Sequence, residues 1–242
     1  MRLRPVVSLM SAALLSAALV ACGGHSSSST TTTPPPTSQD PDARADALLA
    51  KMTQAQKLQL VEGGAPSDPN LNIPFPRGGG GYVPGIPALN IPALYIADGS
   101  VGVGNGVGPA TALPSSIASA ATWDTALAQQ YGQVIGTELA DYGMNVNLGG
   151  NTNLIGREPR DGRTFETKGE DPILAGKMAA AHLLGVESQH IIAQVKHFSF
   201  NDQETGRFTA NAVIDDRGGR ESDLLAFEIA IKDAKPQSVM CG

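Results

Sequence analysis

Lys196 and His197 stand together at the end of an apolar run, Ile191-Ile192-Ala193-Gln194-Val195, and the chain then reads SFNDQETGR, a stretch of amide, acid and arginine closing on Arg207. An apolar strand that delivers two basic side chains implies something for them to touch, because a strand end positions a group far better than a solvent loop does. Asp98 follows another apolar run, Leu94-Tyr95-Ile96-Ala97, and Arg157, Arg160 and Arg163 crowd the polar segment GGNTNLIGREPRDGRTFETKGED that comes after Met144 to Leu148. A buried carboxylate can accept from two adjacent hydroxyls, each charge-assisted bond being worth about 1.5–3 kcal/mol, while ammonium, imidazole and guanidinium groups donate to others. Such a ring of alternating donors and acceptors suits a polyol.

Each of these residues also has a plainer role open to it. Asp98 precedes Gly99 and could simply form a turn. Consecutive strand residues point to opposite faces, so Lys196 and His197 reach one ligand only if the strand bends or twists between them. The three arginines can order their own loop by pairing with Glu158, Asp161, Glu166, Glu170 or Asp171, and such loop ion pairs are individually weak; one of the three is expected to serve a ligand.

Other chemistries fit less well. The string IADGSVGVGNGVG is glycine-rich but lacks the GxGxxG spacing, and no Walker lysine is present. His182 and His190 are not spaced as a usual metal-binding pair, so no metal and no cofactor are expected. Cys241 has no recognisable base beside it. A pair of acids flanking a glycosidic bond, roughly 5–5.5 Å apart for retention, could be sought among Glu166, Glu170, Asp202 and Glu204, but none stands as an isolated acid in an apolar setting.

The elements that must carry these groups can be read from caps and periodicity. Asp40-Pro41 opens a helix reaching Met52, and Thr53-Gln-Ala-Gln56 has capping-box spacing for a second that stops at Gly63-Gly64. Residues 65 to 93 are dense in proline and glycine and read as a connecting excursion without regular structure. Beyond them strand and helix alternate. The strands are Leu94–Ala97, Met144–Leu148, Ile191–Val195 and Ser238–Cys241. Between them lie helices capped by Asp124 and by Asp171-Pro172, and a helix from Arg220 to Ala234. That alternation predicts an α/β fold, a partial (β/α)8 TIM-type barrel with parallel strands and outer helices, in which ligands lie at the carboxyl ends of the strands. Four strands do not close such a barrel, and an open sheet would expose apolar edges.

The balance of 17 basic and 23 acidic residues gives no electrostatic footprint for nucleic acid. Arg2 and Arg4 precede an apolar run from Val6 to Val20, shorter than the ~20 residues of a membrane-spanning helix and fitting a signal peptide over residues 1–21. Leu19-Val20-Ala21-Cys22 resembles the bacterial lipobox, which implies lipid attachment at Cys22; this anchor is the expected membrane contact, and the location expected is the cell envelope. With Cys22 lipidated, Cys241 has no disulfide partner. Residues 22–40 form a Ser/Thr/Pro-rich tether in which His25 is solvated, and the folded domain is expected over residues 41–242.

The strings GIPALNIPALYIADG, ATALPSSIASAATWD, NVNLGGNTNLIGREPRDGRTFETKGEDP, KHFSFNDQETGR and SVMC, in this order, resemble the amino-terminal domain of glycoside hydrolase family 3, the family of β-glucosidases and related exo-acting enzymes. The resemblance implies a barrel whose mouth holds the non-reducing terminal sugar. By motif it assigns Asp98 as the sugar-binding aspartate, Arg163 as the binding arginine, Lys196 and His197 as paired hydroxyl donors and Arg207 as a further arginine of the bacterial branch. Many members carry an arginine shortly after ADG, whereas this chain continues SVGVGNGVG. The family's nucleophilic aspartate, in a Ser-Asp-Trp type motif, and its acid/base glutamate have no counterpart up to Gly242. The expectation is therefore a sugar-binding subsite without the catalytic pair, inactive by itself and completed by a further domain of the same polypeptide. A non-catalytic, surface-tethered sugar-binding lipoprotein is the alternative from another class, and a β-xylosidase or β-N-acetylhexosaminidase relative the alternative within the family. SFNDQETGR after Lys196-His197-Phe198 disfavours the hexosaminidase branch.

Overall fold

The computed structural model describes residues 40–64, 79–155 and 160–242. The signal segment, Cys22, the tether up to residue 39 with His25, and Arg157 with Glu158 lie outside the described residues. The chain divides into two compact units, residues 1–44 and 45–242. Of the first, residues 40–44 are described: they open helix α1 (Pro41–Leu49), where Asp40 accepts the Asp42 N–H. Met52 lies beyond that helix. In the second unit, α2 (Gln54–Val61) begins with the expected capping box, Thr53 accepting from Gln56 N–H while the Gln56 side chain accepts from Thr53 N–H.

Five strands form one sheet in sequence order: β1 (Gly81–Val83), β2 (Leu94–Ala97), β3 (Val146–Asn151), β4 (Ile192–Phe198) and β5 (Ser238–Cys241). It is a curled half-barrel of mostly parallel strands, as the alternation of elements predicted. Its first pair departs from expectation. The proline- and glycine-rich stretch contains β1, antiparallel to β2, and a 3-10 turn at Pro87–Leu89. Three residues are too few to show a period of two. What holds them is a cross-strand pair, Tyr82 opposite Tyr95 with ring centres 5.2 Å apart.

Two parallel strands run further than their apolar residues indicated. β3 starts at Val146 and continues to Asn151, and β4 continues to Phe198, so Lys196 and His197 lie inside the strand. Asn147, Asn151, Lys196 and His197 are all buried, which means that the carboxyl ends of these strands are polar yet dry. Apolarity marks only the part of each strand that faces the hydrophobic core.

Between the strands lie α3 (Ser116–Ala120), which was not foreseen although Ser115 caps it by accepting from Ala118 N–H, α4 (Thr125–Asp141) and α5 (Pro172–Glu187). Asp124 caps α4 by accepting from Ala126 and Leu127 N–H, and Gly143, at φ +73°, follows its end; Asp171 caps α5 by accepting from Leu174 N–H at 2.7 Å. The last helical region is two helices, α6 (Asp216–Glu221) and α7 (Asp223–Ala234). The break at Ser222 has a physical reason: it turns Asp223 fully inward, where its carboxylate accepts the Leu154 N–H.

The core joins Ile135 and Leu139 of α4, Leu183 and Val186 of α5 and Phe227 of α7 to Ala97, Ala193 and Val195 of the sheet. α5 is sandwiched by α4, α7 and the strands, which is why its apolar residues surround it instead of forming one stripe. Its approach to α4 is backbone against backbone. A Cβ on Gly132 would lie 2.1 Å from the His182 carbonyl oxygen, and one on Gly185 would lie 2.1 Å from that of Gln129.

Candidate functional site

The parallel strands release their polar residues into one hollow of about 520 Å³. Asp98 comes directly after β2, Arg163 and Glu166 from the loop after β3, Lys196 and His197 from the end of β4, and Arg207 from the loop beyond it. All five site residues named from the sequence therefore line the same cavity. Met240, Cys241 and Gly242 complete it at the end of β5.

A bulge explains how consecutive residues of β4 reach one space. Val195 pairs with Val239 and Phe198 with Cys241, so three steps on β4 match two on β5, with Lys196 and His197 in the irregular stretch. Bulges break the strict in-and-out alternation of side chains. The Lys196–His197 and Phe198–Ser199 peptide bonds are cis.

Lys196 is 2% exposed, and its ammonium meets Asp98 Oδ1 at 3.1 Å and Glu166 Oε2 at 3.5 Å. Glu166 is the hub of the site. Arg163 donates to both of its oxygens, with Nη2 at 3.0 Å from each, and Ser100 donates its hydroxyl to Oε2 at 3.1 Å. Burial by itself would raise the Glu166 pKa, but Lys196, Arg163 and the Ser100 hydrogen bond together hold it below the ordinary glutamate value. Arg163 also reaches Glu204 at 3.4 Å, and the other oxygen of Glu204 accepts from Arg207 at 2.9 Å. The result is a continuous line of alternating charge: Asp98, Lys196, Glu166, Arg163, Glu204, Arg207. Within this line three carboxylates alternate with three cations, so acceptors and donors stand side by side for a polar ligand.

His197 is fixed by Asn153. The Asn153 carbonyl oxygen accepts from His197 N–H at 2.8 Å and lies 3.3 Å from Nδ1, while its amide donates to the His197 carbonyl. An oxygen acceptor beside Nδ1 puts the ring proton there and leaves Nε2 to accept. Burial first, then Arg163 and Lys196, push the imidazole down to about 4, so it is neutral at neutral pH. In that tautomer Nε2 is an acceptor for a hydroxyl, whereas in the other it would be a donor.

Three contributors escaped the sequence reading as members of the site. Glu166 was visible only as one of several acids able to pair with an arginine or to be sought as half of a catalytic pair. Lys168 is wholly buried, donates to the Asn151 carbonyl at 3.0 Å beneath the end of β3, and is pulled by burial down to about 8. Asn105 grips Asp98 from the glycine-rich loop; its Asn-Gly dipeptide was the available signal, since such pairs favour left-handed turns.

The remaining candidates lie elsewhere. His182 is buried against Tyr131, ring centres 5.6 Å apart, and burial pushes it down to about 3; His190 is exposed. Glu170 and Arg160 are exposed, and Asp202 faces a neighbouring hollow of about 630 Å³. Cys241 is a free, exposed thiol at the rim.

Comparison with known proteins places this arrangement. The Glycosyl hydrolase family 3 N terminal domain profile matches residues 86–242. Probable beta-glucosidase K of Emericella nidulans is 43% identical over 160 residues, 64% of this chain and 19% of that protein. Thermostable beta-glucosidase B of Acetivibrio thermocellus is 38% identical over 165 residues, 63% of this chain and 22% of that protein. Among solved structures, beta-glucosidase 3B from Thermotoga neapolitana in complex with alpha-D-glucose superposes with a TM-score of 0.76 at 34% identity, covering 82% of this chain and 29% of that one. DesR, a beta-glucosidase from Streptomyces venezuelae in complex with D-glucose, gives 0.73 at 36% identity over 82% of this chain and 24% of that one. The chain thus spans about a fifth of the length of these curated relatives. With the profile covering well over half of its residues, the chain belongs to glycosyl hydrolase family 3, whose N-terminal domain it represents.

Proposed function

We propose that this chain supplies the sugar-binding subsite of an exported β-glucosidase-type hydrolase that retains configuration and acts on terminal, non-reducing β-D-glucosyl residues. The observation that carries this reading is the convergence of Asp98, Lys196, Glu166 and Arg163 from separate strand ends on one hollow that offers both donors and acceptors. Asp98 is the most open of its acids, its side chain 44% exposed, and each of its oxygens has one protein partner. A carboxylate has about four acceptor sites, so it can still take two hydroxyl donors. Lys196, held on its apolar strand, donates to a third hydroxyl, and neutral His197 accepts from another.

The nucleophile and the acid/base of this chemistry are assigned to other residues of the polypeptide. A nucleophilic carboxylate needs an oxygen open to the anomeric carbon. Both oxygens of Glu166 are engaged by Arg163, Ser100 and Lys196, and those of Glu204 by Arg163 and Arg207, while the open sites of Asp98 are the ones this reading gives to the sugar hydroxyls. Residues 1–242 alone should accordingly give no turnover of an aryl β-D-glucoside. Export and lipid attachment at Cys22 belong to the same proposal, supported by the Arg-flanked apolar run and the Leu-Val-Ala-Cys string. Cys22→Ser should release the protein from the membrane fraction.

The test is hydrolysis of an aryl β-D-glucoside by the intact protein. Lys196→Met should lower kcat/KM by about 10- to 150-fold, the worth of one charge-assisted hydrogen bond. Undiminished hydrolysis by that variant would remove the sugar from this hollow.

A further inference from the structure

Asp98 is held by its own loop as well as by Lys196. Its N–H donates to Asn105 Oδ1, and its Oδ2 accepts from Asn105 Nδ2 at 3.0 Å. Its carbonyl accepts the Gly104 N–H at 2.9 Å. One amide side chain thereby grips both the backbone and the carboxylate of the same aspartate. The grip has its own anchors: the Asn105 carbonyl accepts from Gly79 N–H at 3.0 Å, and Val107, two residues on, is 2% exposed within the core. Asn105 sits at φ +57°, a left-handed conformation that asparagine tolerates better than most residues with a side chain.

The opposite oxygen, Oδ1, is fixed by Lys196 at 3.1 Å. With Asn105 on one oxygen and Lys196 on the other, the plane of the carboxylate is set before any ligand arrives. Its remaining acceptor sites then face fixed directions. Held by Lys196 alone, the group could rotate, and a ligand would have to order it on binding.

Resting on the reading of Asp98 as the acceptor of sugar hydroxyls, we infer that Asn105 is a positioning residue that fixes the Asp98 carboxylate plane and so sets the preference for a sugar bearing two adjacent hydroxyls there. It sits in the glycine-rich stretch SVGVGNGVG that follows Asp98-Gly99. Orientation of the acid is achieved here by a neutral amide.

The experiment is calorimetric titration of the intact protein with D-glucose and with its monodeoxy derivatives. Asn105→Gly keeps the left-handed backbone and removes the amide. It should weaken D-glucose binding about five- to tenfold, less than the full worth of a hydrogen bond to a charged group because Lys196 still holds the other oxygen of Asp98. The deoxy position that costs most in the native protein should cost less in this variant, which a purely structural role would not produce. Asp98→Asn should abolish most of the affinity, and adding Asn105→Gly to it should change nothing more. Asn105→Asp covers the case in which the glycine variant folds poorly. It places a second carboxylate beside Asp98, so its affinity relative to the native protein should fall as pH rises and the shared proton is lost. Unchanged affinity in Asp98→Asn overturns the functional reading itself. Reduced affinity in Asp98→Asn with native affinity and deoxy-sugar pattern in the Asn105 variants overturns only the role of Asn105.

Discussion

Between α4 and α5 the chain closes on backbone: Gly132 lies under the His182 carbonyl, Gly185 under that of Gln129, and Ile135, Leu139, Leu183 and Val186 fill the core beside them. At the carboxyl ends of β2, β3 and β4 the buried material is instead Lys196, Glu166, His197 and Asn153. The first region stabilises the fold by removing apolar surface from water and by close contact. The second gains little net stability, because desolvating charges offsets most of their attraction. The fold is therefore held on the helix side, while the mouth keeps its groups in place for a ligand.

Steric disturbance of the helix seam should therefore have the largest effect on stability. Gly185→Val places side-chain atoms where a carbonyl oxygen already stands, and should cost about 3 kcal/mol or more, at or above the top of the usual overpacking range. Thermal unfolding should then fall by roughly 2–4 °C per kcal/mol. Lys196→Met should cost less, about 1–2 kcal/mol, because Glu166 keeps Arg163 and Ser100 and Asp98 is half in water. Denaturant melts of the two variants, set beside their glucose affinities, separate the regions: the glycine variant loses folding and the lysine variant loses binding.

The buried histidines give an effect that appears only on acidification. Burial lowers His182 to about 3 and His197 to about 4, so between the ordinary histidine value and those values the unfolded chain binds protons that the folded chain does not. Stability then rises with pH across that window and is lost on acidification, by at most about 1.4 kcal/mol per pH unit for each group. Urea midpoints measured from pH 7 to pH 4 should fall, and His182→Gln should flatten the fall. The smallest effect belongs to the exposed pair Arg217–Glu221 on α6, where Arg217→Ala should change stability by less than about 0.5 kcal/mol.

The same division decided what the sequence could reveal. α4 and α5 were legible from Asp124, Asp171-Pro172 and Gly143, because caps and periodic apolar residues are local signals. β1 was hidden by its three-residue length, and the ends of β3 and β4 by their polarity. The break at Ser222 depends on Asp223 reaching Leu154, a contact between distant residues. At the site, Asp98, Lys196 and His197 were legible because charged groups at the ends of apolar strands are unusual. Glu166 as the hub was not, since nothing in TFETKGED tells which of several acids takes Arg163, nor that Lys196 arrives on its other oxygen.

The central claim is that the charges at the strand ends hold a sugar. Its most direct test is a crystal structure of the intact protein soaked with D-glucose. One pyranose is expected in the hollow, with hydroxyl oxygens within hydrogen-bond distance of Asp98, Lys196 and His197 and with the Asp98 carboxylate still on Asn105. Glucose ordered at another surface, with this hollow holding only solvent, would contradict it.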